Sequence, residues 1–311
     1  MKRLLAASAM AAILAGGTGI SATLVDEETF PGAKISADIL SFGPGARAQG
    51  MGEAYTAIAD DASGAGWNPA GIAQKDTWAV SASHQMIMDG VTQSDFGALI
   101  PAGPVVLSLG AAMFDSGKYE DRDSSSKVTG KRDTGDLVLD GAIGLQNPSF
   151  LGGKGWSGFG VKHADGNNAA GIMVFDFGTI YPVGESTRIG AVLLNFGPGR
   201  YGFSTPAVAG IGVATNPLDA LLVSVDAGYE IAYKQARFGG GVEYTVGGHL
   251  PLRIGYRRSL ADGTIDVING LSLGVGAYVS SLAFDYAYSP GEEMGASQRL
   301  SLSWGRVPAA K

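Results

Sequence analysis

The chain has 311 residues, 49 of them glycine and only 16% charged, with a formal net charge of −7 and no cysteine. Absence of cysteine excludes a disulfide scaffold and a lipid-anchored lipoprotein, and the acidic balance excludes a nucleic-acid binder, which needs basic patches. A charged fraction well under the roughly 25% of soluble domains implies that something apolar covers the outside.

Lys2 and Arg3 precede an apolar run over residues 4–15 and then a small-residue stretch, the pattern of a secretory signal. The run is too short for the roughly 20 residues of a membrane-spanning helix. Residues 1–22 are therefore expected to be a signal peptide, and 23–75 a periplasmic lead-in followed by a compact plug. Arg47, Met51, Ala54, Tyr55 and Ile58 recur at helical spacing, which predicts a helix over 46–59 closed by Asp60 and Asp61. A second helical turn is expected at Asn68, whose side chain can accept from amides two and three residues on. Pro69 suits the first helical position there, ahead of Ala70 and Gly71.

From Trp78 to Trp304 the hydrophobic period is two. Fourteen segments follow, at 78–86, 95–102, 105–114, 137–147, 156–164, 170–181, 188–196, 208–214, 221–230, 238–246, 252–258, 271–279, 282–288 and 299–304. Most approach the 9 to 11 or so residues of a tilted transmembrane strand. Every second connection is tight, as at 102–104, 182–187 and 247–251, while others are longer, the longest being the polar stretch 115–136. Short periplasmic turns and longer external loops are the asymmetry of outer-membrane barrels. A soluble β-sandwich would alternate similarly with its apolar face inward. The export signal, the low charge and aromatics near strand ends (Trp78, Trp156, Tyr181, Tyr288, Trp304) favour the barrel. The fold class expected is all-β: a transmembrane antiparallel up-and-down barrel of about 14 strands over 76–311, with a small N-terminal helical hatch in its lumen.

Along the strands one face is apolar, and the other carries Gly, Ala, Ser and the charges Asp140, Lys162, Asp176, Arg188, Asp226, Glu243, Arg253, Arg257, Asp285 and Arg299. A lipid-facing charge at mid-depth costs about 2 to 4 kcal/mol, so these groups are expected in the lumen. Two readings stand: a network of cross-strand ion pairs bracing the barrel and anchoring the plug, or a polar path opened when the plug shifts. Asp285 and Arg299, on adjacent strands, are expected to pair.

His84, His163 and His249 lie on separate segments, and HExxH and GxSxG motifs are absent. The parts for metal or nucleophilic catalysis are missing. The Gly274–Gly276 GxG lies within a strand, where glycine relieves crowding on a curved sheet. No enzyme activity, metal or cofactor is expected.

The segment SFGPGARAQGMGEAYTAIADDASGAGWNPAGIA, residues 41–73, resembles the amino-terminal signature of the PorV/PorQ family of outer-membrane proteins, relatives of the FadL fatty-acid transporters. The matching positions are Gly45-Ala46-Arg47, Met51-Gly52, Ala54, Ala57, Asp60-Asp61 and Asn68-Pro69-Ala70-Gly71. Strand segments such as LLNFG at 193–197, VDAGYE at 225–230 and LRIGY at 252–256 also look like that family's. The resemblance implies a fourteen-stranded barrel whose amino-terminal part forms a hatch. It implies either hatch-gated passage of small hydrophobic molecules across the outer membrane, or an accessory or shuttle role in a type IX secretion system. Expected partners are outer-membrane lipid, a hydrophobic small molecule in the lumen or a translocon protein, and no nucleic acid.

Overall fold

The structure is a computed structural model that describes residues 38–88, 90–150, 153–166, 171–199, 204–260, 270–290 and 295–305. The expected signal peptide and lead-in lie outside the described residues. Fourteen antiparallel strands close on themselves: β1 (Ala79–Met88), β2 (Val91–Ala102), β3 (Val105–Arg122), β4 (Val128–Phe150), β5 (Gly153–Gly166), β6 (Ile172–Val183), β7 (Thr187–Phe196), β8 (Val208–Leu218), β9 (Leu221–Glu230), β10 (Gln235–Val246), β11 (Leu250–Ser259), β12 (Leu271–Val279), β13 (Leu282–Ser289) and β14 (Ser297–Trp304). Each strand pairs with its sequence neighbours, and β1 pairs with β14 from Val80 opposite Trp304 to Met86 opposite Gln298. Closure leaves no open edge along the wall, so backbone donors and acceptors there are satisfied within the sheet.

Because side chains alternate across a strand, one parity faces out and the other in. The outward parity carries Leu137, Leu139, Ile143 and Leu145 on β4, Phe284 on β13, and Leu300, Leu302 and Trp304 on β14, all exposed. This apolar exterior is the inverse of a soluble protein's surface and is what a surrounding bilayer requires. All ten strand charges named above fall on the inward parity.

Among the described residues the connections at one end are tight, spanning 103–104, 184–186, 219–220, 247–249 and 280–281. Connections at the other end are mostly longer, although β1 and β2 are joined there by residues 89–90 alone. The stretch 115–136, expected to be a loop, is largely a continuation of β3 and β4. The ribbon pairs Lys118 with Asp133 and Glu120 with Lys131, beyond the point where β2 and β5 stop at Asp115 and Asp136. Charged side chains erase the apolar alternation in water without preventing strand pairing, which is why the sequence pattern ends early. At its tip the Asp123 carboxylate accepts from the Ser125 hydroxyl (2.6 Å) and the amides of Lys127 (3.0 Å) and Ser125 (2.9 Å). Those hydrogen bonds hold its pKa below the usual aspartate range.

Residues 38–74 fill the lumen. They form a 3₁₀ turn (Asp38–Ser41), one short helix, α1 (Ala46–Gly50), and two further 3₁₀ turns (Gly64–Gly66 and Gly71–Gln74). The helix expected over 46–59 therefore stops after its first five residues. Gly52 and Glu53 adopt φ of 62° and 58°. The chain turns there because Met51 and Gly52 press against the barrel wall, leaving no room for a helix cylinder.

Candidate functional site: the hatch and its seat in the lumen

The centre of the hatch is polar and buried. Arg47, on α1, donates from Nε to Glu243 Oε2 (2.8 Å) and from Nη2 to Glu243 Oε1 (2.9 Å), a two-pronged bond to β10. Its remaining nitrogen, Nη1, donates to Asp60 Oδ1 (2.5 Å) and to the Tyr55 hydroxyl (2.9 Å). The Tyr55 hydroxyl in turn donates to Asp61 Oδ2 (2.5 Å). Asp60 and Asp61 thus serve Arg47 and Tyr55 within the hatch, an arrangement invisible to a helical reading in which they only end a helix.

The charge network continues into the wall. Arg253 on β11 donates to Glu243 Oε2 (2.6 Å), to Asp285 Oδ1 (2.7 Å) and to the Tyr278 hydroxyl (2.8 Å). Asp285 therefore pairs with Arg253, and the expected Asp285–Arg299 pair is absent. The register explains the difference: on β14 Asp285 stands opposite Ser301, while Arg299 stands opposite Ala287. Buried charges at this depth are tolerated because each finds hydrogen-bonded partners.

The other predicted residues fall into smaller groups around the wall. Lys162 (β5) reaches Asp176 on β6 at 2.8 Å and donates to Asn195 Oδ1 at 2.9 Å, while Asp140 faces the lumen opposite Lys162 in the ladder. Asp226 (β9) accepts the backbone N–H of Thr56 in the hatch at 2.8 Å. Arg188 (β7) donates to Gln74 Oε1 at 2.8 Å, and Arg257 (β11) pairs with Glu53. Arg299 (β14) donates to the carbonyls of Gly43 and Gly45 and to Gln85. Nearly every sequence-predicted lumen charge thus meets the hatch or a neighbouring strand.

Asn68, fully buried, accepts the amide of Ala70 (3.0 Å) through its side chain. Its Nδ2 donates to Thr56 O (2.7 Å) and to Thr179 O on β6 (3.2 Å). The 3₁₀ turn starts at Gly71 without a side-chain cap, so Asn68 makes an Asx-type turn and ties two parts of the hatch to the wall. Pro69, Ala70 and Gly71 pack tightly behind it, with the site of a Cβ on Gly71 only 2.2 Å from Ala59 O.

Glycine on the wall is the feature missed in the sequence. A Cβ built on Gly158 (β5) would stand 2.2 Å from the Pro69 carbonyl carbon, and one on Gly178 (β6) 2.0 Å from Asn68 Oδ1. At Gly190 (β7) the distance to Thr56 O is 2.6 Å, at Gly241 (β10) 2.4 Å to Met51 O, and at Gly255 (β11) 2.0 Å to Gly52 N. At Gly158, Gly190, Gly241 and Gly255 hatch backbone lies directly on strand backbone, and at Gly178 the Asn68 side chain does. The sequence shows these glycines only as part of the non-apolar strand face, with nothing in it to mark which ones meet the hatch.

Apolar contacts complete the seat. Near the loop end of the lumen Ile39 packs with Val138, Ala164, Ile172 and Val174, flanked by Leu40 and Phe114, and Phe42 stacks on Phe114 at 5.9 Å. Deeper, Tyr55, Met51, Ile58 and Trp67 form the apolar part of the hatch against Ile180 and Leu222. A cavity of about 90 Å³ lies beside the hatch, its polar lining Ser81, Ser83, Asp95, Ser108 and Ser301. A polar recess of about 390 Å³ lies at the tight-turn end, lined by Lys75, Glu185, Arg188 and Asp219. The hatch touches strands around the lumen, among them β5, β6, β7, β9, β10, β11 and β14. Among the described residues no group of three or more His, Asp and Glu side chains could hold a metal ion.

The fold is similar to that of solved β-barrels. The Pseudomonas putida toluene transporter TodX aligns with a TM-score of 0.59 at 12% identity, covering 88% of this chain and 98% of that one. The TodX deltaS2S3 mutant monoaromatic hydrocarbon channel gives 0.58 at 12% identity, covering 85% and 99%. At such identity the likeness is one of fold. No protein-family model and no curated protein sequence matches the chain.

Proposed function

We propose that the protein is an outer-membrane barrel of the PorV/PorQ, FadL-like kind that passes small hydrophobic molecules past its hatch. The tight-turn end is then periplasmic and the loop end external. The observation that carries this reading is the apolar lining at the external end of the lumen, where Val138, Ala164, Ile172 and Val174 are buried around Ile39. Once Ile39 is displaced, that apolar wall gives a hydrophobic solute a place to leave water before it meets the charged network below. The fold shared with TodX, described as a toluene transporter, supports the same solute class.

A second reading, a protein-docking barrel serving a type IX secretion system, is favoured by the fit of the hatch. Hatch backbone is seated directly on wall glycines at Gly158, Gly190, Gly241 and Gly255, as in a fixed plug. Purification from native outer membranes, followed by identification of what accompanies the protein, separates the two. Apolar small molecules in the preparation support passage; a stoichiometric large protein with no such molecule supports docking.

A further inference from the structure

The hatch is fastened in two physically different ways. Residues 47–74 are held by the buried Arg47–Glu243 pair, by backbone lying on Gly158, Gly190, Gly241 and Gly255 of four strands, and by the Asn68 side chain on Gly178. Sliding this block would drive backbone into backbone. Residues 40–45 are held differently, by side chains that grip main-chain carbonyls, by Leu40 beside the Ile39 cluster and by Phe42 stacked on Phe114, with no strand glycine beneath their backbone in close contact. Leu40 O accepts from Asn195 Nδ2 (3.0 Å), Phe42 O from Gln93 Nε2 (3.3 Å), and Pro44 O from Trp67 Nε1 (2.8 Å). The carbonyls of Gly43 and Gly45 both accept from Arg299 Nη1, and the Ala46 amide donates to Ser301 Oγ (2.7 Å).

Arg299 is the centre of this grip. It is 3% exposed, its Nε has no partner, and among the described residues no carboxylate lies within 4.0 Å of it. A guanidinium bonded to carbonyls can exchange them for water or solute, whereas separating Arg47 from Glu243 would break a buried two-pronged ion pair and leave Arg47 with Asp60 and Glu243 with Arg253. The roughly 90 Å³ cavity adjoins this same segment, between Gly43–Ala46 and the serines of β1, β3 and β14.

We propose that residues 40–46 are the moving part of the hatch. They release from Gln93, Asn195 and Arg299 while 47–74 stay seated, and solute passes through the serine-lined gap this opens beside β14, β1 and β2. The inference rests on the reading of the protein as a passage and specifies where that passage runs.

The natural chain contains no cysteine, so single introduced thiols report cleanly. Ala46 and Ala57 are both fully buried, one in the strap and one in the block. Ala46→Cys and Ala57→Cys are made in full-length protein in lipid vesicles, alone and combined with Arg299→Gln, and labelling by an impermeant maleimide is followed together with conductance. Loss of the charged donor should raise labelling at position 46 about tenfold or more, leave position 57 unchanged and increase conductance. Equal acceleration at both positions means that the hatch moves as one body and overturns the proposal; so does no acceleration at either. Faster labelling at 46 without any gain in conductance leaves the moving strap standing and overturns the passage on which it was placed. Gln93→Ala, which removes a neutral donor, gives the same pattern more weakly and serves if Arg299→Gln does not fold, as judged by gel mobility before and after boiling.

Discussion

Arg47 of the hatch and Glu243 of β10 face each other with both guanidinium edge nitrogens on both carboxylate oxygens, at 2.8 and 2.9 Å. Glu243 also receives Arg253 at 2.6 Å, so one carboxylate joins the plug to two strands of the wall. Replacing Glu243 by Gln leaves two buried guanidinium groups sharing a neutral partner. Asp60 and Asp285 remain beside them, so the expected loss is about 1.5 to 3 kcal/mol, seen as earlier thermal unfolding on heat-modifiability gels and faster proteolysis near residues 47–61. Arg47→Lys keeps the charge but loses the fork, and should recover only part of the stability.

The ion-pair assignment is tested by two double-mutant cycles. Arg253 and Asp285 should show a coupling of about 1 kcal/mol or more, because their contact is buried at 2.7 Å. Asp285 and Arg299 should be additive within about 0.5 kcal/mol, since the register sets them apart. Strong coupling in the second cycle would show that the barrel register differs from the one described.

Wall glycines should behave unlike surface glycines. Gly255→Ala places a methyl 2.0 Å from Gly52 N, and Gly178→Ala one 2.0 Å from Asn68 Oδ1, so both should unseat the hatch. Gly184→Ala, in a turn with nothing within 4 Å but φ of 71°, carries only the backbone strain. The readout is hydrogen exchange over 50–72, which should accelerate in the first two variants and not in the third.

Barrel and lumen charges were legible because strand periodicity and the cost of a lipid-facing charge both act residue by residue. Thus Glu243, Arg253 and Asp285 could be placed on the inner face from alternation alone. Their partners could not, since pairing depends on how strands are staggered, and Asp285 faces Ser301 where adjacency suggested Arg299. The hatch was legible as a segment but not as a shape. Helical spacing over 46–59 was genuine in the sequence, yet contact of Met51 and Gly52 with β10 and β11 overrides it. Asn195 and Gln93 went unnoticed as uncharged residues, although both hold hatch carbonyls. The bulge that points Asn195 inward, with φ of 55°, has no periodic signature.

Asn68→Ala removes three hydrogen bonds at a fully buried position, to Thr56 O, Thr179 O and the Ala70 amide. Leaving those groups unsatisfied costs about 1 to 3 kcal/mol for each one that water cannot reach. The barrel should remain inserted and heat-modifiable, while amide exchange over 56–72 rises. Loss of the folded barrel itself would mean that the hatch is needed for closure.

The central claim is that residues 38–66 occlude the lumen of an outer-membrane barrel, and planar-bilayer conductance tests it most directly. Full-length protein should show little or no steady conductance, in keeping with the small cavity beside the hatch. A variant lacking 38–66, which retains every barrel strand, should open a persistent pore. Equal conductance from a correctly folded deletion variant and the full-length protein would contradict the account.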